Sequence, residues 1–162
     1  ASAYRRITPL RLKSLELQGF KSFPDKTKLV LNADDPLVTS LGMKTGKECI
    51  YFGVGEDTGI SINEIKEGRF CTFCGAELDY DFYHYSQLGV YACGGCAFKR
   101  PKVDFEAVNV SLDKGIAFNV SGSSISVKYR GFYNIYNILA TFSVAKLCGV
   151  ELTSFKSSLH GK

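Results

Sequence analysis

The sequence lacks the long apolar run that a membrane-spanning helix needs. No stretch approaches about 18 consecutive apolar side chains, and the first twenty residues contain no continuous apolar segment of the kind found in secretory signals. Glycine follows no period, which excludes a collagen-like chain, and an aromatic content of 13% excludes a disordered one. We therefore expect a cytoplasmic globular protein without a membrane span.

Positive charge is concentrated at the start of the chain. Residues 1–28 hold seven lysines and arginines but only two acidic residues, whereas the remaining residues are almost neutral. A basic segment on a neutral body indicates either a nucleic-acid or polyanion contact or a solvated arm. We favour the solvated arm, because aromatic and basic residues do not interleave densely enough there to stack bases.

Four of the six cysteines form two Cys-x-x-Cys pairs. Eighteen residues separate the pair Cys71 and Cys74 from the pair Cys93 and Cys96, a spacing typical of zinc ribbons. Two thiolates three residues apart can hold one tetrahedral ion when the chain between them turns tightly. Glycines beside both pairs permit such turns and bring backbone N–H groups over the sulfur atoms. The pattern predicts a structural Zn²⁺ ion between two knuckles, each at the end of a hairpin.

Disulfides and a redox Cys-x-x-Cys are the competing interpretations. Disulfides are disfavoured without a secretory signal, and a redox motif requires one pair at a strand-to-helix turn. His84 lies between the pairs, but four thiolates complete a tetrahedral shell, so we expect an exposed strand residue. The isolated Cys49 and Cys148 are expected to be small buried hydrophobic residues.

The first half of the chain has the pattern of a β-α-β unit. A strand is predicted at residues 27–32, a short helix at about 36–41 and a second strand at 49–54. Asp34 and Asp35 are interpreted as turn and cap residues rather than catalysts, since a proline follows at the first helical position.

The second half predicts a meander and one main helix. Three segments alternate with period two, which indicates antiparallel strands at about 108–112, 116–120 and 125–129. The helix is expected from about Asn134 to Cys148, with Gly149 ending it. Its apolar stripe is expected to consist of Ile135, Ile138, Leu139, Phe142, Ala145 and Leu147.

Three stretches resemble one family. Residues 29–38 (LVLNADDPLV) are similar to a strand-and-turn motif late in the central domain of Mur ligases. The double Cys-x-x-Cys, with LGVYAC at 88–93 and KRP at 99–101, is similar to the ribbon of MurT subunits of lipid II isoglutaminyl synthase. Residues 131–140 (GFYNIYNILA) are similar to that family's Gly-x-Tyr-Asn-x-Tyr-Asn-x-Leu-Ala segment. The resemblance covers about four-fifths of the chain, from about residue 28 onward.

The resemblance implies a part in peptidoglycan synthesis. In that family, ATP with Mg²⁺ activates the second-position D-glutamate carboxylate of the lipid II stem peptide as an acyl phosphate. Ammonia from a GatD-type glutamine amidotransferase then displaces the phosphate. The resemblance also implies that Asn134 and Asn137 face the adenine edge of the nucleotide, since residues three apart share one helix face. From the residues alone, an N-cap role for Asn134 and a surface position for Asn137 are equally good interpretations.

The chain departs from the family where the phosphates of ATP would bind. A loop similar to GTNGKT, the acidic Mg²⁺ segment after it and the C-terminal domain do not occur in the 162 residues. The glycine-rich stretch at 53–59 fits neither GxGxxG nor GxxxxGK[ST], so it is interpreted as an ordinary loop. Without the Lys and Thr of a phosphate loop the β- and γ-phosphates have no cradle. We expect no catalysis by this chain alone.

Residues 11–23 resemble a second family. The segment RLKSLELQGFKSF is similar to the first strands of SMC chromosome-segregation ATPases and predicts a strand or hairpin. The GPNGSGKS loop of that family does not follow. A fusion of two unrelated segments, recombined or engineered, is therefore one hypothesis, in which the added strands cover a sheet face or edge.

These observations predict an α+β fold in three parts. They are a basic SMC-like strand segment at 1–28, a partial Mur-ligase central domain at 29–66 and 102–162, and an inserted four-cysteine zinc ribbon at 67–101. The first functional hypothesis is the ribbon-bearing part of a MurT-like ligase. The alternatives are a non-catalytic zinc-binding module, chimeric or not, and a nucleic-acid-binding ribbon with a basic arm.

Overall fold

The computed structural model describes residues 26–60 and 68–159, and these form a mixed sheet with a separate hairpin. The sheet has five strands in the order β1-β2-β5-β6-β7, and β3 and β4 form a separate two-stranded sheet. The strands are β1 (Lys28–Asn32), β2 (Glu48–Val54), β3 (Leu78–Tyr85), β4 (Leu88–Cys93), β5 (Phe105–Ser111), β6 (Ile116–Val120) and β7 (Ser123–Val127). The helices are α1 (Pro36–Thr45), α2 (Tyr133–Leu147) and α3 (Leu152–Leu159). The prediction of an α+β fold is confirmed.

Strands β1 and β2 are parallel and α1 connects them, as the sequence predicts. Asp35 begins the helix by accepting hydrogen bonds from the backbone N–H groups of Leu37 and Val38 at 2.9 and 3.3 Å. The helix runs four residues beyond the expected end at Leu41. It ends at Gly46, which has a left-handed φ of 63°. Gly42 lies inside the helix and lets α1 pack close to β1, where a Cβ would overlap the Leu31 side chain.

The predicted meander is present and extends the parallel part of the sheet. β5 is parallel to β2 and antiparallel to β6, which is antiparallel to β7. β5 begins three residues earlier than predicted, because Phe105 pairs with Phe52. The β3-β4 hairpin belongs to the connection from β2 to β5. The ribbon is therefore inserted in the sequence between two strands that are neighbours in the sheet.

Helix α2 covers one face of the sheet, and its buried side chains form the centre of the main core. Phe142 is 1% exposed and meets Phe105 and Phe155 edge-on, with ring centroids 5.6 and 5.4 Å apart. Phe155 belongs to α3, a helix that the sequence patterns did not predict.

The end of α2 corrects two predictions. The helix ends at Leu147, and Gly149 follows with a φ of 72°, so the predicted stop is confirmed. Leu147 was expected on the buried stripe but is exposed. Cys148 was expected to be buried and is also exposed, because it lies just beyond the last turn that packs on the sheet.

Two expectations lie outside what the structure tests. The SMC-like stretch at 11–23 falls outside the described residues, and the three-part division of the chain stays a prediction. Within 26–60 and 68–159, the structure contains no helix that is long and apolar enough to span a membrane.

Replacing Phe142 with alanine should destabilise the protein strongly. The change removes the ring that α2 packs between Phe105 and Phe155 and should lower the free energy of unfolding by about 3–5 kcal/mol. Val144→Ala on the same helix is the control, since Val144 is 48% exposed and should change stability by less than about 0.5 kcal/mol. Equal effects in denaturant titrations would contradict the assigned buried face.

Candidate metal centre and its connection to the sheet

Each Cys-x-x-Cys pair lies in a tight turn at the tip of a short hairpin. A bridge between Phe70 and Glu77 closes the first turn, and a bridge between Ala92 and Lys99 closes the second. Gly75 directly follows the first pair and has a φ of 76°, a left-handed conformation that favours glycine. The predicted arrangement of two knuckles at hairpin ends is thus present.

The four thiol groups of the two knuckles converge on one point. The Sγ atoms of Cys71, Cys74, Cys93 and Cys96 all lie within 4.8 Å of one another. Cys71 Sγ is 3.6 Å from Cys96 Sγ, and Cys74 Sγ is 3.4 Å from Cys93 Sγ. Metal–sulfur bonds of about 2.3 Å in a tetrahedron require sulfur atoms about 3.8 Å apart. The arrangement therefore fits an ion held by four thiolates.

The local backbone favours the thiolate form of Cys71. Burial raises the pKa of this thiol, but the backbone N–H groups of Phe73 and Cys74 and the neighbouring Cys96 thiol lower it to about 7. The Phe73 N–H lies 3.5 Å from Cys71 Sγ. A thiol that ionises near neutral pH is well suited to bind a metal, because the ligand must be deprotonated.

A buried carboxylate joins the ribbon to the sheet. Asp34 follows β1 and is fully buried. Arg100 Nε donates to Asp34 Oδ1 at 2.7 Å, while the Val54 N–H and the Tyr136 hydroxyl donate to Oδ2 at 2.8 and 2.9 Å. Arg100 also donates to Glu106 Oε1 at 3.3 Å. Three donors on two oxygen atoms suit the ionised carboxylate, and Arg100 supplies the countercharge.

This environment adds a second role to Asp34, which does lie in the predicted turn. We expected a turn or cap residue, and Asp35 does cap α1. Asp34 also accepts hydrogen bonds from β2, from α2 and from the segment after β4. Its partners Arg100 and Tyr136 lie 66 and 102 residues away in the sequence. Burial raises the pKa of the Asp34 carboxyl above its ordinary value, while Arg100 and the Val54 N–H oppose the shift.

His84 was expected to be exposed, and this prediction is wrong. The side chain is fully buried, where the far end of β3 meets the sheet. It stacks on Phe132, with ring centroids 5.5 Å apart, and Nε2 lies 3.3 Å from the Val54 carbonyl oxygen and 4.0 Å from Asp34 Oδ2. Nδ1 has no hydrogen-bond partner among the described residues. Burial therefore lowers the pKa of His84, and Asp34 opposes the shift.

The two asparagines of the family motif lie together in the first turn of α2. Asn137 Nδ2 donates to Asn134 Oδ1 at 3.2 Å, and Asn134 Nδ2 donates to the Arg130 carbonyl at 2.7 Å. The N-cap interpretation of Asn134 is wrong, since the cap position is Phe132 and makes no side-chain cap hydrogen bond. The pair is partly or fully exposed, and its role toward a nucleotide stays a prediction.

Sequence reasoning missed Arg100, Tyr136 and Glu106 as members of this site. Arg100 and Tyr136 lie within the segments that resemble the family, but the sequence analysis assigns neither a role. For His84 a signal existed, because it is in phase with Leu78 along β3, and both are buried. No local pattern could identify partners of Asp34 that come from a different hairpin and a distant helix.

Known proteins are similar to this chain in sequence and in structure. No protein-family model matches the sequence. The chain is 32% identical over 134 residues, 82% of its length, to the MurT subunit of lipid II isoglutaminyl synthase (glutamine-hydrolyzing) from Staphylococcus aureus. It is 32% identical over 139 residues to the MurT subunit from Streptococcus pneumoniae. The chain spans 30% of the length of these curated relatives.

A solved structure has the same fold. It is a pseudomurein peptide ligase type C from Methanothermus fervidus, with a TM-score of 0.69 and 34% sequence identity, covering 83% of this chain and 27% of that one. The sheet, the α2 face and the thiol cluster thus define a partial Mur-ligase-like chain with a four-cysteine ribbon. Within that class the chain is MurT-like, as its sequence match to the MurT subunits shows.

Cys74→Ser should abolish metal binding, because it removes one of four thiolates from the cluster. We expect about one metal ion per chain in the parent protein and close to none in the variant, measured by elemental analysis after dialysis. Cys148→Ser is the control, since Cys148 is exposed and outside the cluster. Retention of metal by Cys74→Ser, or its loss from Cys148→Ser, would contradict the assignment.

Acid should destabilise the protein partly through His84. Its lowered pKa means that the folded state stays neutral where the unfolded state, with an ordinary value of 6.5, already binds a proton. The stabilising contribution is therefore complete above about pH 6.5 and declines below it, by at most about 1.4 kcal/mol per pH unit. His84→Gln does not titrate, so its free energy of unfolding should fall less steeply between pH 7 and 5. If the free energy of unfolding fell equally with pH in the metal-loaded parent protein and in His84→Gln, the contribution assigned to His84 would be refuted.

Proposed function

We propose that this chain is the ribbon-bearing part of a MurT-like ATP-dependent amide ligase. The observation that carries the proposal is a four-thiol cluster within a sequence that matches MurT over 82% of the chain. In the whole enzyme the reaction is amidation of D-glutamate in lipid II, in the cytoplasm. A GatD-type glutamine amidotransferase supplies the ammonia.

The metal of this proposal is Zn²⁺, and its role is structural. Four thiolates are a donor set that zinc prefers. They also leave no open position for water or substrate, so the ion would not act on a substrate directly. Its contribution is to hold the two knuckles together and thereby to order the hairpin β3-β4.

The nucleotide-facing residues of the proposal are Asn134 and Asn137. Each side-chain amide offers a donor and an acceptor, which matches the donor and acceptor edge of adenine. The hydrogen bond between the two amides restricts their orientation before any ligand arrives. An open cleft of about 380 Å³ lies beside the same helix end, with Arg130 and Tyr133 in its wall.

The proposal includes binding without catalysis. The 162 residues contain no GTNGKT-like loop to hold the β- and γ-phosphates. We therefore expect this chain to contact the adenine and ribose of ATP while leaving the terminal phosphates in solvent. Complete ligase activity requires the remaining parts of a MurT-like enzyme and its partner.

Calorimetric titration of the zinc-loaded chain with Mg·ATP tests the nucleotide face. We expect saturable binding with a dissociation constant between about 1 µM and 1 mM, the usual range for enzyme substrates. Asn134→Ala with Asn137→Ala should weaken it more than tenfold. Thr141→Ala, one turn further along the exposed face of α2, should bind like the parent chain.

The other outcomes separate the alternatives. No heat up to millimolar ATP would refute the nucleotide face and leave a zinc-stabilised folding or binding module. Affinity for single-stranded DNA that falls steeply with salt would favour the nucleic-acid alternative, which assigns the basic residues 1–28 a role.

A further inference from the structure

Helix α2 begins without a local cap. Phe132 occupies the N-cap position and makes no side-chain hydrogen bond to the first turn. The N–H groups of Asn134 and Ile135 donate only to the nearby carbonyl groups of Gly131 and Phe132. Helix ends that lack a cap depend on tertiary contacts for their position. The position of Asn134 and Asn137 must therefore be fixed by what the start of this helix touches.

Two contacts at the start of α2 lead to the ribbon, in addition to the packing of Ile135 in the main core. Tyr136 lies between the two asparagines in the sequence but points to the opposite, buried side, where its hydroxyl donates to Asp34 Oδ2 at 2.9 Å. Phe132 stacks on the ring of His84 at the end of β3. The helix start is thus held by Asp34 and by a ribbon strand.

Arg100 completes the connection from the metal centre. It follows the second knuckle by four residues, and its backbone N–H donates to the Tyr91 carbonyl of β4 at 2.9 Å. Its side chain then reaches Asp34 at 2.7 Å. A shift of the second knuckle would move this guanidinium, because only three residues separate Cys96 from Arg100.

The backbone of the ribbon also touches the same aspartate residue. The Gly89 N–H of β4 donates to the Asp34 carbonyl oxygen at 3.0 Å. Asp34 therefore contacts the ribbon through its main chain and its side chain, and contacts α2 through its side chain. Both oxygen atoms of the carboxylate are used, one toward the ribbon and one toward α2 and β2.

We propose that Arg100, Asp34 and Tyr136 are positioning residues that transmit the metal-fixed geometry of the ribbon to Asn134 and Asn137. This inference rests on the proposed function for its ligand, ATP, but not for its geometry. The ribbon is then more than a stabilising insertion, because its metal-fixed structure determines the position of Asn134 and Asn137.

Two conservative variants test the network in the zinc-loaded chain. Tyr136→Phe keeps the ring but removes the hydroxyl from Asp34, and Arg100→Lys keeps the charge but loses the planar fork. We expect each to weaken ATP binding about five- to tenfold, a usual size for coupling through packed contacts, with one zinc per chain retained. The double variant should be weakened by less than the product of the two, since both act through Asp34.

Matched controls separate positioning from general stability. Tyr129→Phe removes an exposed tyrosine hydrogen bond to the Leu159 carbonyl of α3. Arg69→Lys perturbs an exposed ion pair with Glu77 in the same ribbon. Both should leave the dissociation constant for ATP unchanged. A merely structural role of Arg100 and Tyr136 predicts lower melting temperatures with unchanged ATP affinity below the transition, and that result would overturn the proposal.

A second readout does not depend on ATP. The side-chain amide signals of Asn134 and Asn137 should shift in the NMR spectrum of Arg100→Lys, which lies outside α2, and stay in place in Arg69→Lys. If the parent chain binds no ATP, the proposed function fails and these signals alone decide the network. Asn134 and Asn137 signals that do not move in Arg100→Lys would refute the network. If Arg100→Lys loses zinc, the comparison of Tyr136→Phe with its control Tyr129→Phe replaces it. The network then requires that only Tyr136→Phe shifts the Asn134 signal and weakens ATP binding.

Discussion

The buried carboxylate of Asp34 is the interaction on which the arrangement of this chain depends. A charge in the protein interior is tolerated only when it is paired and fully hydrogen-bonded. Asp34 meets both conditions by drawing Arg100 from the ribbon, Tyr136 from α2 and the Val54 N–H from β2 to the same two oxygen atoms. Losing one partner of such a pair typically costs about 3–5 kcal/mol, so the elements that supply these groups are tied together.

The ribbon and the sheet therefore have separate cores but a shared polar boundary. One core contains the buried cysteines Cys71 and Cys93 with Tyr91 and Phe98, and the other lies between α2 and the sheet. Non-directional apolar packing within each core leaves their relative placement open. The hydrogen bonds of Asp34 and Arg100 specify it, since they form only at short distances and restricted angles, and the stacking of His84 on Phe132 contributes.

Several features were predictable because they depend on neighbours in the sequence. The thiol cluster followed from two Cys-x-x-Cys pairs, the start of α1 from Asp35 with its following proline, and the meander from period-two alternation. Predictions failed where burial depends on distant chain segments. α1 continues through Gly42, where the Leu31 side chain leaves no room for a Cβ. His84 is buried because β3 ends against Phe132, and Cys148 is exposed because nothing covers the end of α2 in the described part of the chain.

The sequence alone was enough to predict the fold class, the candidate metal ligands and the resemblance to MurT. Each of these depends on patterns of residues that lie near one another in the sequence. The placement of the ribbon on the sheet, the burial of Asp34 and His84, and the link from Arg100 to the start of α2 appear only in the folded chain. Arg100 and Tyr136 lie 66 and 102 residues from Asp34 in the sequence, and no local periodicity encodes such pairings. They form because the fold brings a buried negative charge to the groups that can neutralise it.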